Sequence, residues 1–449
     1  MKFYLISLGC PKNLTNSEEF SARLLAKGHQ LVFSPEEADE IIINTCGFIA
    51  AAVEEAKEEI RQALALKKAG TVKKVAVTGC LVERFKAQLA KEFPDVDTVF
   101  SIAAQEDIEN TLQTRGLILE PLPSSLYLPP YKMSLTASHT AYLKIADGCN
   151  NRCAYCTIPF IRGKYRSKPM EDILREAKLM TQNGVKEISL IAQDTTSYGI
   201  DLYGKPQFLE LLEKLLKIRG LGRLRIMYAY PHRMTREIAR LMGSTDKIFH
   251  YVDIPLQHIA DPVLKRMNRH CSGAQIRQTL DMLKKEVPDI SLRTNFIVGF
   301  PEETKKDFEE LKQFITDYEF DNMGVFEYFR EEGTAAYAMK QVPAAVKKER
   351  ARELVEVQSR VIDRVNKRLI GTVVEVISDS PTLGRTYKDA PDIDGKTTFT
   401  RPVETGRIFQ ARIVDARGYE RTAEPLAERV PTKNTKKSRT KKSTSNTAR

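Results

Sequence analysis

Three cysteines, Cys149, Cys153 and Cys156, stand close together in the segment ADGCNNRCAYCTIPF. Their C-x-x-x-C-x-x-C spacing places three thiols on one short loop, directly after the apolar run AYLKIA. Three thiolates can ligate three irons of a 4Fe–4S cubane and leave the fourth iron open to a substrate or cofactor. Zinc is the rival interpretation, but structural zinc sites favour paired C-x-x-C knuckles with a fourth Cys or His, and none lies nearby in the sequence. Three chance buried cysteines are the structural alternative.

Three further cysteines each follow an apolar run: Cys10 follows FYLISLG, Cys46 follows EIIINT and Cys80 follows VKKVAVTG. If these runs are parallel strands, the thiols lie beyond the carboxyl ends of the strands, where open α/β sheets collect ligands. We therefore predict a second three-cysteine site, although a single cysteine after a strand is more often a core residue. Cys271 belongs to neither group of cysteines, and we interpret it as a structural or surface thiol.

The apolar runs alternate with helical stretches, a pattern typical of parallel βαβ units with helices on both faces of the sheet. In the first part of the chain the pattern predicts a helix from Asn16 and another in AAVEEAKEEIRQAL. From Ala141 to about Ala345 six more strand-like runs follow, namely AYLKIA, EISLIA, LRIMYA, FHYVDI, LRTNFIVGF and NMGVFEYF. Six such units predict a complete or partial TIM-like barrel.

These patterns predict an α/β multidomain protein. Residues 1–125 form a parallel α/β domain, and the four prolines of PLPSSLYLPP indicate a linker that reaches to residue 140. Residues 141–370 hold the partial TIM-like barrel and a long charged helix, and residues 371–430 have the short strands and turns of a small OB-like β-barrel. Residues 431–449 are rich in Lys, Ser and Thr and are expected to be disordered.

Composition limits the classes of protein. The formal net charge of the 449 residues is +11, but the last nineteen residues carry seven Lys or Arg and no acid, which leaves 11 − 7 = +4 for the rest. The net basic charge therefore belongs to an appendage more than to a folded nucleic-acid-binding face. Because no apolar run approaches 18 residues, we expect no membrane span. Seven cysteines are too few for a disulfide scaffold and indicate the reducing cytoplasm.

Together these motifs resemble the radical S-adenosylmethionine methylthiotransferases. The chain opens with GCPKN, carries NTC at Cys46, TGC at Cys80 and the C-x-x-x-C-x-x-C loop, and ends in a small β-rich domain of the TRAM type. The match covers residues 1 to about 430. The resemblance implies two 4Fe–4S clusters and S-adenosylmethionine, which one-electron reduction cleaves to a 5'-deoxyadenosyl radical. It also implies that the second cluster presents a sulfur, which is first methylated and then transferred to a carbon radical.

Within this family the sequence is more similar to the enzymes that modify a ribosomal protein than to those that modify transfer RNA. Pro11 stands where the RNA-directed enzymes usually carry Gln, and the chain contains AQDTTSYGIDLYG, YAYPHRM, DIPLQH and GRTYKDAPDIDG. The implied acceptor is the β-carbon of an aspartate in small-subunit ribosomal protein twelve, free or on the ribosome. The implied electron donor is a low-potential protein such as flavodoxin or ferredoxin. Methylthiolation of isopentenyl-adenosine in transfer RNA, or a non-catalytic Fe–S RNA-binding protein, are the alternatives.

The charge of the terminal domain also favours a protein partner. Residues 371–430 carry nine Lys or Arg and ten Asp or Glu, and Asp389, Asp392 and Asp394 are close together in one predicted loop. RNA binding requires a basic face. An acidic loop suits a basic partner, and ribosomal proteins are typically basic. A merely solvated acidic loop is the alternative.

The resemblance also implies contacts to the cofactor. Tyr155, inside the cysteine loop, is the aromatic residue that the family places against the adenine region, with ordinary packing of a half-buried ring as the alternative. Gln193, Asp194 and Thr195 follow a barrel strand on the face where such barrels place their chemistry, although Thr195 could instead cap a helix.

Gly299 and Phe300 resemble a cofactor-flanking strand end. Nearby Glu302 stands where relatives commonly have glycine, a departure that weakens the resemblance of the loop at this point, because glycine tolerates backbone angles that glutamate does not. We interpret His232 and His258 as orienting residues and not as general bases. The resulting candidate set is Tyr155, Gln193, Asp194, Thr195, Gly299 and Phe300 for cofactor contacts, with Cys10, Cys46, Cys80, Cys149, Cys153 and Cys156 as ligands.

Overall fold

The computed structural model describes residues 1–126 and 133–426. These residues form two six-stranded sheets with helices and a five-stranded closed barrel. The α/β multidomain fold class is therefore confirmed. Part of the predicted linker (127–132) and the predicted basic tail (431–449) lie outside the described residues. Along the described ranges, no helix combines the length and apolar character that a membrane span requires.

The N-terminal sheet carries the first three candidate ligand cysteines at its edge. Its strands are β1 (Lys2–Ser7), β2 (Gln30–Val32), β3 (Glu40–Thr45), β4 (Lys74–Gly79), β5 (Thr98–Phe100) and β6 (Gly116–Ile118). Its helices are α1 (Pro11–Ala26), α2 (Ala50–Lys68), α3 (Cys80–Phe85), α4 (Ala87–Glu92) and α5 (Ile108–Gln113). The strand order is β2-β1-β3-β4-β5-β6, and every pairing is parallel. Ile41 and Ile43 join the core on one face, and Ile42 joins the core on the other, because alternate side chains of a strand point to opposite faces.

The sequence pattern identified β1, β3 and β4 but missed the three-residue strands β2, β5 and β6, which are too short to show a periodicity. It also placed the start of α1 too late. The helix begins at Pro11 and not at Asn16. Proline is well suited to the first turn because its missing N–H is not needed there. Cys10 therefore occupies the N-cap position, directly before the helix.

The second sheet is the predicted partial barrel, and all six predicted strands are present. Its strands are β7 (Thr140–Lys144), β10 (Glu187–Ile191), β11 (Arg223–Ile226), β12 (Ile248–Asp253), β13 (Ser291–Val298) and β14 (Asn322–Glu327), with a two-stranded ribbon of β8 (Ala146–Asp147) and β9 (Arg166–Ser167) beside it. The strand order is β7-β10-β11-β12-β13-β14, all parallel. Among the described strands, β7 and β14 do not pair with each other, so the barrel stays open on one side.

Helices surround the partial barrel, and the first of them packs on α3 of the N-terminal domain. They are α6 (Ile158–Ile161), α7 (Met170–Gln182), α8 (Ile200–Tyr203), α9 (Phe208–Leu216), α10 (Arg236–Gly243), α11 (Asp261–Arg266), α12 (Gly273–Glu286), α13 (Lys305–Tyr318) and α14 (Ala344–Leu369). Helices α12 and α13 each begin with a capping box, formed by Ser272 with Gln275 and by Thr304 with Asp307. Most of the apolar core of the protein lies between these helices and the sheet.

The C-terminal domain is a closed antiparallel barrel with one parallel pairing. Its strands are β15 (Val373–Ser378), β16 (Leu383–Thr386), β17 (Lys396–Phe399), β18 (Ile408–Arg417) and β19 (Glu420–Pro425). They close in the order β15-β16-β17-β19-β18, and β17 pairs with β19 in parallel. The sequence pattern predicted β15, β17 and β18. It missed β16 and β19, whose residues are mostly polar.

The acidic loop of the C-terminal domain is not a free surface for a basic partner, so that interpretation was wrong. Asp389 is buried and accepts a 2.8 Å hydrogen bond from Arg421. Asp394 accepts hydrogen bonds from Nε of Arg293 at 3.0 Å and from the Tyr251 hydroxyl at 2.8 Å. Of the three aspartates, Asp392 alone is exposed. A charge count along the sequence could not identify these internal ion pairs.

The loop between β16 and β17 instead docks the C-terminal domain onto the partial barrel. Ala390 packs with Tyr142 and Phe249 inside the sheet. Arg385 donates to the buried carboxylate of Glu187, the first residue of β10, at 2.8 Å. The C-terminal domain therefore covers the amino-terminal ends of the barrel strands. This leaves the carboxyl-terminal ends, where such barrels place their chemistry, facing the N-terminal domain.

Candidate functional site

All six cysteines predicted as ligands line one cavity between the N-terminal sheet and the partial barrel. Cys10, Cys46 and Cys80 belong to the N-terminal domain, and Cys149, Cys153 and Cys156 belong to the barrel domain. The cavity opens to solvent and has a volume of about 410 Å³. This volume is within the roughly 300–1,000 Å³ that is usual for a pocket that binds a small molecule.

The three N-terminal cysteines converge because glycines let the strand ends approach closely. Gly9, which precedes the first of these cysteines, has φ +87, and a Cβ there would lie 2.9 Å from Sγ of Cys46. Gly47 lies against the start of α3, where a Cβ would lie 2.7 Å from the backbone nitrogen of Leu81. Cys80 is the first residue of that helix. A side chain at Gly9 would therefore displace Cys46, and one at Gly47 would displace the start of α3.

The other three cysteines lie on the loop between β8 and α6. The backbone N–H of Cys149 donates to the carbonyl of Gly163 at 3.2 Å, and that of Cys156 donates to the carbonyl of Cys153 at 3.0 Å. Arg269 donates from Nη1 to Sγ of Cys153 at 3.6 Å. These bonds hold the loop as a compact turn that presents its thiols to the cavity.

The donor set fits a cubane at each group of thiols. Within residues 1–126 and 133–426, no three Cys, His, Asp or Glu side chains stand close enough together to hold a single metal ion. A 4Fe–4S cluster makes a different demand, because each thiolate binds its own iron. Each cysteine set offers three thiols to the cavity, so a cluster held by one set would keep one iron for another ligand.

Burial sets the protonation of most of these thiols. It raises the pKa of Cys46 and of Cys149 to about 11, and it raises the pKa of Cys80 and of Cys156 as well. Burial acts in the same direction on Cys10, but the positive charges of Lys12 and Arg162 outweigh it and lower the pKa of that thiol. If Cys46, Cys80, Cys149 and Cys156 bind a cluster as thiolates, that binding releases protons.

Arg162, which follows α6, connects the two cysteine sets. It is only 1% exposed. Its Nη2 donates to Sγ of Cys80 at 3.2 Å and to Oδ1 of Asn13 at 3.1 Å, and its Nη1 donates to Oδ2 of Asp147 at 3.3 Å. Oδ1 of Asp147, two residues before the barrel cysteine loop, accepts a 2.8 Å hydrogen bond from Gln193. Sequence reasoning missed Arg162, because nothing in its local sequence distinguishes it from a surface arginine.

Lys12 and Tyr228 form another part of the cavity wall that sequence reasoning missed. Nζ of Lys12 lies 3.2 Å from the centre of the Tyr228 ring. Tyr228 has φ +58, which is unusual for an aromatic residue and marks a constrained position. Its N–H donates to Asp253 at 3.2 Å, and Asp253 also accepts from Arg293 at 2.9 Å. The only available signal was their place in the GCPKN and YAYPHRM motifs.

The six predicted cofactor residues occupy different places. Tyr155 and Gln193 line the cavity. Phe300 is buried behind Tyr155, with the two rings edge to face at 6.4 Å between centroids. Asp194 lines a neighbouring pocket with an empty volume of about 580 Å³, where it accepts a 2.8 Å hydrogen bond from Asn151. These four residues therefore surround the barrel cysteine loop, and their cofactor contacts stay predictions.

Thr195 and Gly299 lie away from both pockets. The Thr195 hydroxyl donates to the carbonyl of Met227 at 2.8 Å, so it ties two strand ends together. Gly299 has φ +66, and a Cβ there would lie 2.3 Å from Cγ of Lys347 on α14. Their proposed cofactor contacts have no support in these positions and also stay predictions.

The remaining residues singled out from the sequence are described by their burial, hydrogen bonds and backbone geometry. His258 is buried and accepts from the N–H of Ala260, and burial lowers its pKa to about 3. Burial and Arg233 lower the pKa of His232 to about 4. Glu302 has φ +61, a left-handed backbone angle that glycine adopts more readily than glutamate. Cys271, the seventh cysteine, is buried in the core of the partial barrel.

Comparison with protein families divides the chain into three parts. The model for the Uncharacterized protein family UPF0004 matches residues 2–101, that for the Radical SAM superfamily matches residues 143–315, and that for the TRAM domain matches residues 369–426. The structure of the radical SAM methyltransferase TsrM from Kitasatospora setae aligns with a TM-score of 0.55 at 12% identity over 75% of this chain and 76% of that chain. At this identity the likeness concerns the fold alone.

Curated relatives match almost the whole chain. Ribosomal protein uS12 methylthiotransferase RimO of Elusimicrobium minutum is 49% identical over 424 residues, 94% of this chain and 99% of the relative. The protein of the same name from Carboxydothermus hydrogenoformans is 44% identical over 433 residues, 94% of this chain and 98% of the relative. The resemblance drawn from the motifs is confirmed: the chain belongs to the radical S-adenosylmethionine methylthiotransferase family, in the branch of the ribosomal protein uS12 methylthiotransferases.

Proposed function

We propose that this protein is an enzyme that replaces a hydrogen on the β-carbon of an aspartate in ribosomal protein uS12 by a methylthio group. Its relatives at 40–49% identity carry the name uS12 methylthiotransferase. The observation that carries the proposal is that two sets of three cysteines, from two domains, line one cavity. This arrangement suits a reaction that needs both a radical generator and a sulfur source close to one substrate carbon.

In this proposal, Cys149, Cys153 and Cys156 hold the cluster that binds S-adenosylmethionine, and the N-terminal set, Cys10, Cys46 and Cys80, holds a second cluster. When bound and reduced, the first cluster supplies the electron that cleaves S-adenosylmethionine, and the second supplies an open iron for sulfur. The protein does not need an acid–base pair for this chemistry, since a radical can break an unactivated C–H bond. Its own task is to position the groups and to exclude water.

The residues of the cavity suit that task. Arg162 and Arg269 donate to one cysteine sulfur in each set, at 3.2 Å and 3.6 Å. Tyr155, Tyr228 and Tyr230 supply aromatic wall, and the lining is mainly apolar. Such a wall shields a reactive carbon species from water and from unwanted partners. A low-potential electron donor such as flavodoxin or ferredoxin, and a cytoplasmic location, complete the proposal.

The test is mass spectrometry of uS12 and of transfer RNA from a strain that lacks the gene and from the same strain complemented with it. We expect uS12 to lose the CH2S increment in the deletion strain and to regain it on complementation, with transfer RNA unchanged. A variant with Cys149, Cys153 and Cys156 all changed to Ala is the matched control and should not restore the increment. Loss of a CH2S increment from transfer RNA, with uS12 unaffected, would contradict the proposal.

A further inference from the structure

One buried lysine differs from the others in its pairing. Lys144, Lys168 and Lys388 are buried, and each has Nζ within 3.4 Å of a carboxylate oxygen. Lys12 is 8% exposed, and its Nζ has no hydrogen bond or ion pair with any residue of the described ranges; it lies over the ring of Tyr228 instead. The Cys10 thiol lies near this ammonium but makes no hydrogen bond to it. Because buried charges are ordinarily held by direct hydrogen-bonded partners, the cavity wall beside Lys12 has a place for a further anion.

The carboxylates near Lys12 already have other partners. Asp147 accepts from Arg162 at 3.3 Å, and Asp253 accepts from Arg293 at 2.9 Å. Lys12 is also placed where a substrate has to come, because it lines the same cavity as both cysteine sets. The missing anion is therefore expected to arrive with a molecule that enters this cavity.

We propose that Lys12 binds the side-chain carboxylate of the substrate aspartate, an inference that rests on the proposed function above. The carboxyl carbon of an aspartate is bonded directly to its β-carbon. A charge-assisted hydrogen bond to the carboxylate therefore also fixes the carbon that is to lose a hydrogen and gain the methylthio group. The ring of Tyr228, 3.2 Å from Nζ, restrains the ammonium by a cation–π contact.

This role would also determine specificity. An asparagine side chain or a purine base brings no negative charge, so it would leave the ammonium of Lys12 buried and unpaired. Lys12 is thus a residue that selects an anionic acceptor, and it does so without taking part in the transfer of hydrogen or sulfur.

The test is a double-mutant cycle on binding, without reductant, so that no turnover occurs. The dissociation constants of uS12 and of uS12 with the target Asp→Asn are measured for cluster-reconstituted wild-type enzyme, for Lys12→Met and for Lys12→Arg, in the presence of S-adenosylmethionine. We expect the Asp→Asn change to weaken binding to wild type by about tenfold or more, and binding to Lys12→Met by less than about threefold. Lys12→Arg should keep most of the discrimination, and Lys27→Met, at the exposed end of the same helix, should behave as wild type.

Equal discrimination by wild type and Lys12→Met would overturn the inference. Loss of S-adenosylmethionine binding in Lys12→Met would also overturn it, since Lys12 would then serve the carboxylate of the cofactor. Loss of iron from Lys12→Met would overturn it in favour of a role at the neighbouring Cys10. Wild-type activity on uS12 is measured alongside under reducing conditions. Its absence would refute the proposed function and this inference together, whereas activity with unchanged discrimination would refute this inference alone.

Discussion

Arg162 of the barrel domain donates a hydrogen bond from Nη2 to Sγ of Cys80 of the N-terminal domain, at 3.2 Å. The same guanidinium donates to Asp147, two residues before the barrel cysteine loop. One buried side chain thus fixes the position of one cysteine set relative to the other. The distance and orientation between the two sets depend on the docking of the two domains as much as on either sheet.

Removal of this guanidinium should destabilise the protein. Arg162→Met leaves the buried carboxylate of Asp147 without its cation, a change that typically costs about 3–5 kcal/mol. We expect Asp147→Asn in the same chain to recover a large part of this cost, because it removes the unpaired charge. Urea unfolding of the cluster-free protein measures both variants. If the double variant were as unstable as Arg162→Met, the ion pair would not be the source of the cost.

The second prediction concerns Glu40, the first residue of β3. Burial raises the pKa of this carboxyl to about 7, and its Oε1 has no hydrogen-bond partner. The folded pKa lies above the unfolded value of roughly 4.3. The protonated carboxyl therefore contributes to the stability of the folded protein, and this contribution is lost as the pH rises through about 7. We expect Glu40→Gln to be more stable than wild type at pH 8, by on the order of 3 kcal/mol, and nearly equal to it at pH 4.

Thermal unfolding of both proteins between pH 4 and pH 8 checks this prediction. Glu37→Gln is the matched control, because Glu37 is an exposed residue outside the sheet. A difference between wild type and Glu40→Gln that stays constant over this range would contradict the assigned pKa shift.

The third prediction concerns the docking of the C-terminal barrel. Arg385 reaches Glu187 at 2.8 Å, and Glu187 also accepts from Arg225 at 2.6 Å. Arg385→Met should loosen the C-terminal domain, because a buried carboxylate then has one cation in place of two. Hydrogen exchange in residues 373–425 should increase. Arg412→Met is the control, since Arg412 is exposed and donates to a backbone carbonyl within its own domain region. Equal exchange in both variants would show that this ion pair does not hold the domain.

The fourth prediction concerns Glu302, which has φ +61. A non-glycine residue with a left-handed backbone costs about 1 kcal/mol of folding free energy. Glycine removes this strain, but it loses more backbone entropy on folding, so the net gain is smaller. We expect Glu302→Gly to raise the free energy of unfolding by about 0.5 kcal/mol. Glu302→Ala keeps the strained backbone and should give no gain. A gain of equal size in both variants would assign the effect to the side-chain charge instead.

The placement of the six candidate ligand cysteines could be predicted from the sequence because it depends on local patterns. A strand that ends at Ser7, Thr45 or Gly79 can be identified from a short apolar run, and parallel strands bring their ends to one edge. The start of α1 was predicted less well, because its first turn contains polar residues that resemble a loop.

Residues whose roles depend on the packing of two domains could not be predicted. Arg162 and Lys12 acquire their surroundings only when the N-terminal sheet meets the barrel. The acidic loop was misinterpreted for the same reason, because Arg293, the partner of Asp394, lies 101 residues away in the chain.

The central claim is that each cysteine set holds its own 4Fe–4S cluster. Iron and sulfide analysis of anaerobically reconstituted protein tests it most directly. The account predicts about eight irons per chain for wild type, and about four for each variant in which one set, either Cys10, Cys46 and Cys80 or Cys149, Cys153 and Cys156, is changed to Ala. About four irons in wild type, with none left in one of the two variants, would contradict it.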